Sequence, residues 1–117
     1  MWEIEFYEKE NGRCPVGEYL DSVPPDDFVR IERKLKLLAE YGNELQRPHV
    51  GYLRDDIWEL RVRTQRGQNR ILFFFFEGQK IILTNGFLKK TRKVPPKEIE
   101  RAIEYRKAYF MKYKDRP

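Results

Sequence analysis

The chain is short of the residues from which most enzyme chemistries start: its 117 residues hold one cysteine, Cys14, and one histidine, His49. A lone cysteine excludes an intramolecular disulfide, and one Cys with one His is too few soft ligands for a zinc site. A cysteine nucleophile generally needs a histidine to activate it. His49, however, follows Pro48 in a segment without a partner at useful spacing. Cys14 therefore reads as a structural or surface thiol, and His49 as a structural or surface residue. There is no Gly-rich phosphate loop and no serine-nucleophile motif, which excludes those routes to phosphoryl and acyl transfer. No apolar run approaches the roughly 18 residues of a transmembrane helix, and Met1-Trp2-Glu3-Ile4-Glu5 lacks a basic-then-apolar leader pattern. These absences predict a cytoplasmic protein that uses no metal or cofactor and touches no membrane.

Charge is what the chain has in quantity. Charged residues make up 37% of it, against 40% hydrophobic and 15% aromatic, apolar enough to fold beneath an ionic surface. The net charge of +5 conceals a division. Residues 1–60 hold 8 Lys/Arg and 14 Asp/Glu, a net of −6, whereas residues 61–117 hold 16 and 5, a net of +11. So uneven a distribution reads as a polyanion-binding half backed by an acidic half.

The apolar pattern predicts a single α+β domain. Trp2 to Tyr7 alternates apolar and acidic residues as a strand does. Val16, Tyr19, Leu20 and Val23 fall at helical spacing after Pro15, and Phe28, Ile31, Leu35 and Leu38 form a second helical stripe from Pro25 to Gly42. These two helices form a hairpin. Residues 43–56 show no periodicity and read as loop. Ile57 to Arg63 alternates again, Thr64 to Asn69 is turn-like, and Arg70 to Phe76 is apolar on both faces, as in a central strand. Glu77-Gly78-Gln79 reverses the chain into a strand over Lys80 to Thr84, which completes a three-stranded antiparallel meander. Gly86 to Lys93 reads as a basic segment leaving the sheet, and Pro95-Pro96 opens a last helix reaching about residue 114.

The chemical signal is cationic. Arg61 and Arg63 project from one face of a strand, Arg70 begins the next, and Lys89 and Lys90 follow the third. A sheet face of guanidinium and ammonium groups suits a phosphate whose charge grows in a transition state. RNA carries its own nucleophile, the 2′-hydroxyl, so orienting that group and stabilising the pentavalent phosphate is enough to cleave it without a metal. Arg61 and Arg70 would hold the phosphoryl oxygens, and Lys89 or Lys90 would serve the leaving oxygen. Glu59 shares the Arg61 face as either a base or an ion-pair partner that orients arginines. Arg63, Arg66, Arg92, Lys93 and Lys97 would dock the surrounding RNA. Phe73 to Phe76 read as core, and Tyr105, Tyr109 and Tyr113 as helix packing first and RNA stacking second. The same basic surface also fits a non-catalytic RNA- or ribosome-binding module, or a basic helix that docks an acidic protein.

Four segments resemble the phage-derived branch of the RelE/HigB-type toxins: Ile57-Trp58-Glu59-Leu60-Arg61-Val62, Asn69-Arg70-Ile71-Leu72-Phe73-Phe74, Asn85-Gly86-Phe87-Leu88-Lys89-Lys90-Thr91-Arg92-Lys93-Val94-Pro95, and Glu98-Ile99-Glu100-Arg101-Ala102. The resemblance implies a type II toxin with the RelE-like fold, a twisted antiparallel sheet flanked by a helical hairpin and a C-terminal helix. It also implies cleavage of mRNA in the ribosomal A site and inhibition by a cognate antitoxin, often a helix-turn-helix protein. Its arginines and paired lysines fall on Arg61, Arg70, Lys89 and Lys90. The chain departs from the pattern at Asn85, where many relatives have His, and at Asp56, where many have Gly.

Overall fold

The computed structural model describes residues 1–114. The elements are β1 (Glu3–Phe6), α1 (Pro15–Ser22), α2 (Pro25–Tyr41), a 3-10 turn (Gly42–Glu44), β2 (Val50–Arg54), β3 (Ile57–Thr64), β4 (Gly67–Phe76), β5 (Lys80–Lys89) and α3 (Pro96–Lys114). Strands β2 to β5 form an antiparallel meander, and β1 pairs in parallel with β5, giving the order β1-β5-β4-β3-β2. This is the α+β architecture expected of a RelE-like fold.

The sheet separates two cores. On one side Leu60, Val62, Ile71, Phe73, Ile81 and Leu83 pack beneath Val16 and Leu20 of α1 and Ile31 and Leu38 of α2. On the other, Ile57, Leu72, Phe74, Phe76 and Ile82 pack beneath Ala102, Ile103 and Tyr109 of α3. Strand β4 is buried on both faces because it lies in the middle of the sheet, and its run of phenylalanines supplies both cores, as the unbroken apolar sequence predicts. Tyr105 stacks on Tyr7, and Tyr109 meets Phe74 and Phe76 edge-on, so the tyrosines of α3 serve packing.

The structure corrects the sequence reading in four places. Residues 43–56 are not all loop, because β2 lies within them, paired to β3 along Val50↔Leu60 and Gly51↔Glu59. This strand is short, edge-positioned and half exposed, so it leaves no periodicity to read. Second, the turn expected over Thr64 to Asn69 contracts to Gln65-Arg66, with Thr64↔Gly67 already paired. Third, β5 continues past Thr84 to Lys89, so Gly86 to Lys89 remain in the sheet and the meander has four strands. In sequence the alternation stops at Thr84 because a β-bulge breaks it there: Phe73 pairs with Leu83 and Leu72 with Asn85, leaving Thr84 as the extra residue. Fourth, Phe28 is exposed, and its neighbour Asp27 turns inward toward Arg66, whose Nε lies 3.9 Å from its carboxylate.

The β2–β3 turn accounts for one departure from the family pattern. Asp55 and Asp56 adopt φ of 50° and 64°, the left-handed pair that a two-residue hairpin requires and that glycine enters most easily. Asp56 is held there by the Tyr52 hydroxyl, which accepts its backbone N–H at 3.0 Å, and by an ion pair of its carboxylate with Arg106 at 3.3 Å.

Because Phe73 is fully buried between strand neighbours and the helical hairpin, Phe73→Ala should lower unfolding free energy by about 3–5 kcal/mol. Urea denaturation followed by circular dichroism measures this loss.

Candidate functional site

On the α3 side of the sheet, strand register arranges side chains into cross-strand rows. Gly51, Glu59, Leu72 and Asn85 form one; Arg61, Arg70 and Phe87 form the next; Arg63, Gln68 and Lys89 form the third. Helix α3 packs over the end of this face that carries Phe74 and Phe76. The arginine rows lie beyond those phenylalanines.

Arg61 and Arg70 stand directly opposite each other on β3 and β4, an arrangement that repels unless a counter-charge intervenes. Glu59 is that counter-charge. Its Oε2 accepts a hydrogen bond from Arg61 Nε at 3.1 Å and lies 3.0 Å from Arg61 Nη2. Its Oε1 lies 2.9 Å from Arg70 Nε. The Glu59 side chain is only 6% exposed and gives one carboxylate oxygen to each arginine, the arrangement of an ion-pair partner that orients them.

The two arginines differ in environment. The Arg70 side chain is 8% exposed, and its Nη1 donates to Gln68 Oε1 at 3.3 Å and to Asn69 O at 3.1 Å. Burial pulls its ionisation below the ordinary guanidinium value, and Glu59 opposes that pull. Starting from so high a value, the group stays charged at neutral pH. The Arg61 side chain is 33% exposed and carries the accessible edge of the pair. Together they present a rigid, net-positive fork whose geometry fits the non-bridging oxygens of a phosphate.

Gly51 makes room for this fork. A Cβ at residue 51 would lie 2.4 Å from Arg61 Nη2 and 3.1 Å from Glu59 Oε2, so only glycine lets the guanidinium lie across β2. Nothing in the sequence pattern marks this role, since it depends on a strand that periodicity does not reveal.

The remaining candidates divide. Lys89 ends β5 in the row of Gln68 and Arg63, on the arginine face. Lys90 is the first residue past the strand and is exposed, and Arg92 and Lys93 are exposed in the connection to α3. Lys97 is exposed in the first turn of α3. Arg66 is not brought to this face; it sits at the β3–β4 turn and leans toward Asp27 of α2. The neighbouring polar cluster is structural: Tyr19 Oη donates to Asn69 Oδ1, and Asn69 Nδ2 donates to Val62 O at 3.2 Å and Thr64 Oγ1 at 2.9 Å.

Asn85 is 3% exposed. Its Nδ2 donates to Glu98 O at 3.3 Å and to Glu98 Oε1 at 3.0 Å, and its Oδ1 accepts from Thr84 Oγ1 at 2.7 Å. The Asn85 amide thus clips the start of α3 to the bulge. His49 is engaged elsewhere, its Nδ1 hydrogen-bonded to Lys34 Nζ of α2 at 2.8 Å.

Gly51→Ala should displace the Arg61 guanidinium from Glu59 while leaving the strands paired. The expected readout is a shifted Arg61 side-chain Nε–H resonance together with a denaturation midpoint changed by less than about 1 kcal/mol equivalent. An unmoved resonance would show that the fork does not need the gap.

Residues 18–107 match the family model described as phage derived protein Gp49-like (DUF891). No curated protein matches the sequence. The match spans β2 to β5, both rows that hold the arginine fork, and most of the flanking helices. The chain thus belongs to the phage-derived Gp49-like family, a RelE/HigB-like toxin family.

Proposed function

We propose that the protein is the toxin of a type II toxin–antitoxin pair and acts as a ribosome-dependent mRNA endoribonuclease. The observation that carries this reading is the fork itself, two guanidinium groups held by one buried carboxylate in the rows beyond the α3 core. In the reaction the 2′-oxygen attacks the adjacent phosphorus, and its proton passes to water. The bond from phosphorus to the 5′-oxygen breaks, leaving a 2′,3′-cyclic phosphate and a 5′-hydroxyl. Arg61 and Arg70 stabilise the charge that grows on the phosphoryl oxygens. Lys89 donates the proton to the departing oxygen, with Lys90 as the adjacent ammonium. No step calls on a metal or a cofactor. Arg63, Arg92, Lys93 and Lys97 bind neighbouring phosphates, and such contacts are salt-sensitive.

The family implies an antitoxin partner, and we propose a helix-turn-helix protein in that role, acting with the toxin in the cytoplasm. Among the described residues, no helix is long and apolar enough to cross a membrane.

One observation favours a second reading. Asn85 replaces a common histidine and has both polar atoms of its side chain engaged, so that position offers no proton carrier. A non-catalytic module that blocks the ribosome by binding RNA through the same fork would need none.

Purified protein added to an in vitro translation reaction separates the two. Cleavage within the A-site codon, mapped by primer extension, is the expected result, with Arg61→Ala and Arg70→Ala each reducing the rate by about a hundredfold or more. Arrested translation with intact mRNA supports the binding module instead. Undiminished cleavage by both variants rules out the fork. Glu59→Gln should keep the fold but slow cleavage at saturating RNA, because it loosens the arginines rather than removing them; an unchanged rate would count against an orienting role.

A further inference from the structure

The rows that contain the fork also contain an aromatic ring whose position the nuclease reading leaves unused. Phe87 is the third member of the row Arg61–Arg70–Phe87, directly across from Arg70 on β5. It reaches this face only because of the bulge at Thr84. Before the bulge the even-numbered residues Lys80 and Ile82 share the face of Phe76 and Phe74; after it the odd-numbered Asn85, Phe87 and Lys89 do.

Its environment differs from that of the other sheet phenylalanines. Phe73 and Phe74 are fully buried, while Phe87 is half-buried and packs on the edge of the α3 core. Most sheet aromatics have ring partners: Phe73 with Phe75, Phe74 and Phe76 with Tyr109, Trp58 with Tyr52. Among the described residues Phe87 has none. Of the other exposed aromatics, Phe28 and Tyr41 sit on α2, against the opposite side of the sheet, while Phe110 and Tyr113 sit on α3 against Phe76, away from the arginine rows. Phe87 thus combines a rigid strand backbone, apolar support from one side, partial exposure and a cationic neighbour. Lys89, two residues on and on the same face, continues the positive track.

We propose that Phe87 is the stacking platform for the nucleobase attached next to the phosphate that Arg61 and Arg70 hold, an assignment that rests on RNA being the ligand of this face. The fork fixes the phosphate on the β3–β4 side of the row, and the base lies over the ring on the β5 side. Every base has a π-face, so the ring adds affinity and orientation without demanding a particular base. Holding the nucleoside by both ends would also limit rotation about the sugar that carries the attacking 2′-oxygen.

The test uses a 2′-O-methyl RNA tetranucleotide, which cannot be cleaved, and the same strand with one abasic position. Wild-type protein should bind the intact strand about tenfold more tightly than the abasic one, and the Phe87 ring protons should shift on titration with the first and not the second. Phe87→Leu should bind both strands with the affinity that wild type has for the abasic one, while Phe87→Tyr keeps the preference. The proposal fails if Phe87→Leu retains the preference, if wild type shows no preference, or if neither strand binds at millimolar concentration. The ring-proton shift is read on unmodified protein, so a misfolded variant does not remove the test. Failure of the nuclease reading looks different: base preference present, but mRNA left intact on translating ribosomes.

Discussion

A single extra residue in β5 sets which side chains meet. Leu83 faces Phe73 and Asn85 faces Leu72, so Thr84 is accommodated as a bulge, its single hydroxyl proton within reach of two acceptors, the Leu72 carbonyl at 3.1 Å and Asn85 Oδ1 at 2.7 Å. Because side chains alternate with period two, one inserted residue turns every later side chain to the other face. Without it, Phe87 and Lys89 would point toward the helical hairpin, and Gly86 would face the arginines. With it, Gly86 lies under Tyr19 of α1, where a Cβ would come within 2.6 Å of the tyrosine ring. The same bulge presents Asn85 to Glu98, which joins the sheet to the beginning of α3. Core closure, helix placement and the composition of the cationic face all depend on it.

The cationic face itself rests on a charge balance. Two opposed arginines would repel, and an isolated buried carboxylate would be costly. Each is tolerated because the other is present, and the geometry leaves a net positive charge with its direction fixed. The exposed ion pairs elsewhere, such as Arg13 with Glu18 and Arg54 with Asp55, are solvated and add little to stability. The acidic first half of the chain mostly decorates the helical hairpin and loops, so the charge division by sequence corresponds only loosely to a division in space. Glu59, the most consequential acid, lies next to the basic half in sequence and inside it in the fold.

The fold was largely legible from patterns. Alternation at Trp58 to Arg63, the two-sided apolar run at Ile71 to Phe76 and the helical stripes each record a burial environment that repeats along the chain. The reading lapsed where burial does not repeat. Strand β2 is an edge strand with Gly51 and Arg54 among its five residues, and β5 changes phase at Thr84. Asp27, polar by type, is buried near the start of α2, with Arg66 of another element 3.9 Å from its carboxylate.

The sequence by itself determined the residue types of the candidate site. Glu59, Arg61, Arg70 and Lys89 were all identifiable, because strand alternation places Glu59 and Arg61 on one face and the cations concentrate in the second half of the chain. Only the tertiary structure decided their relations: that Glu59 lies between Arg61 and Arg70, that Gly51 vacates space for Arg61, that Arg66 leans toward Asp27, and that Phe87 joins the arginine row. Those relations depend on strand register and on one bulge, and register is a property of pairs of strands, which a pattern read along one strand does not contain.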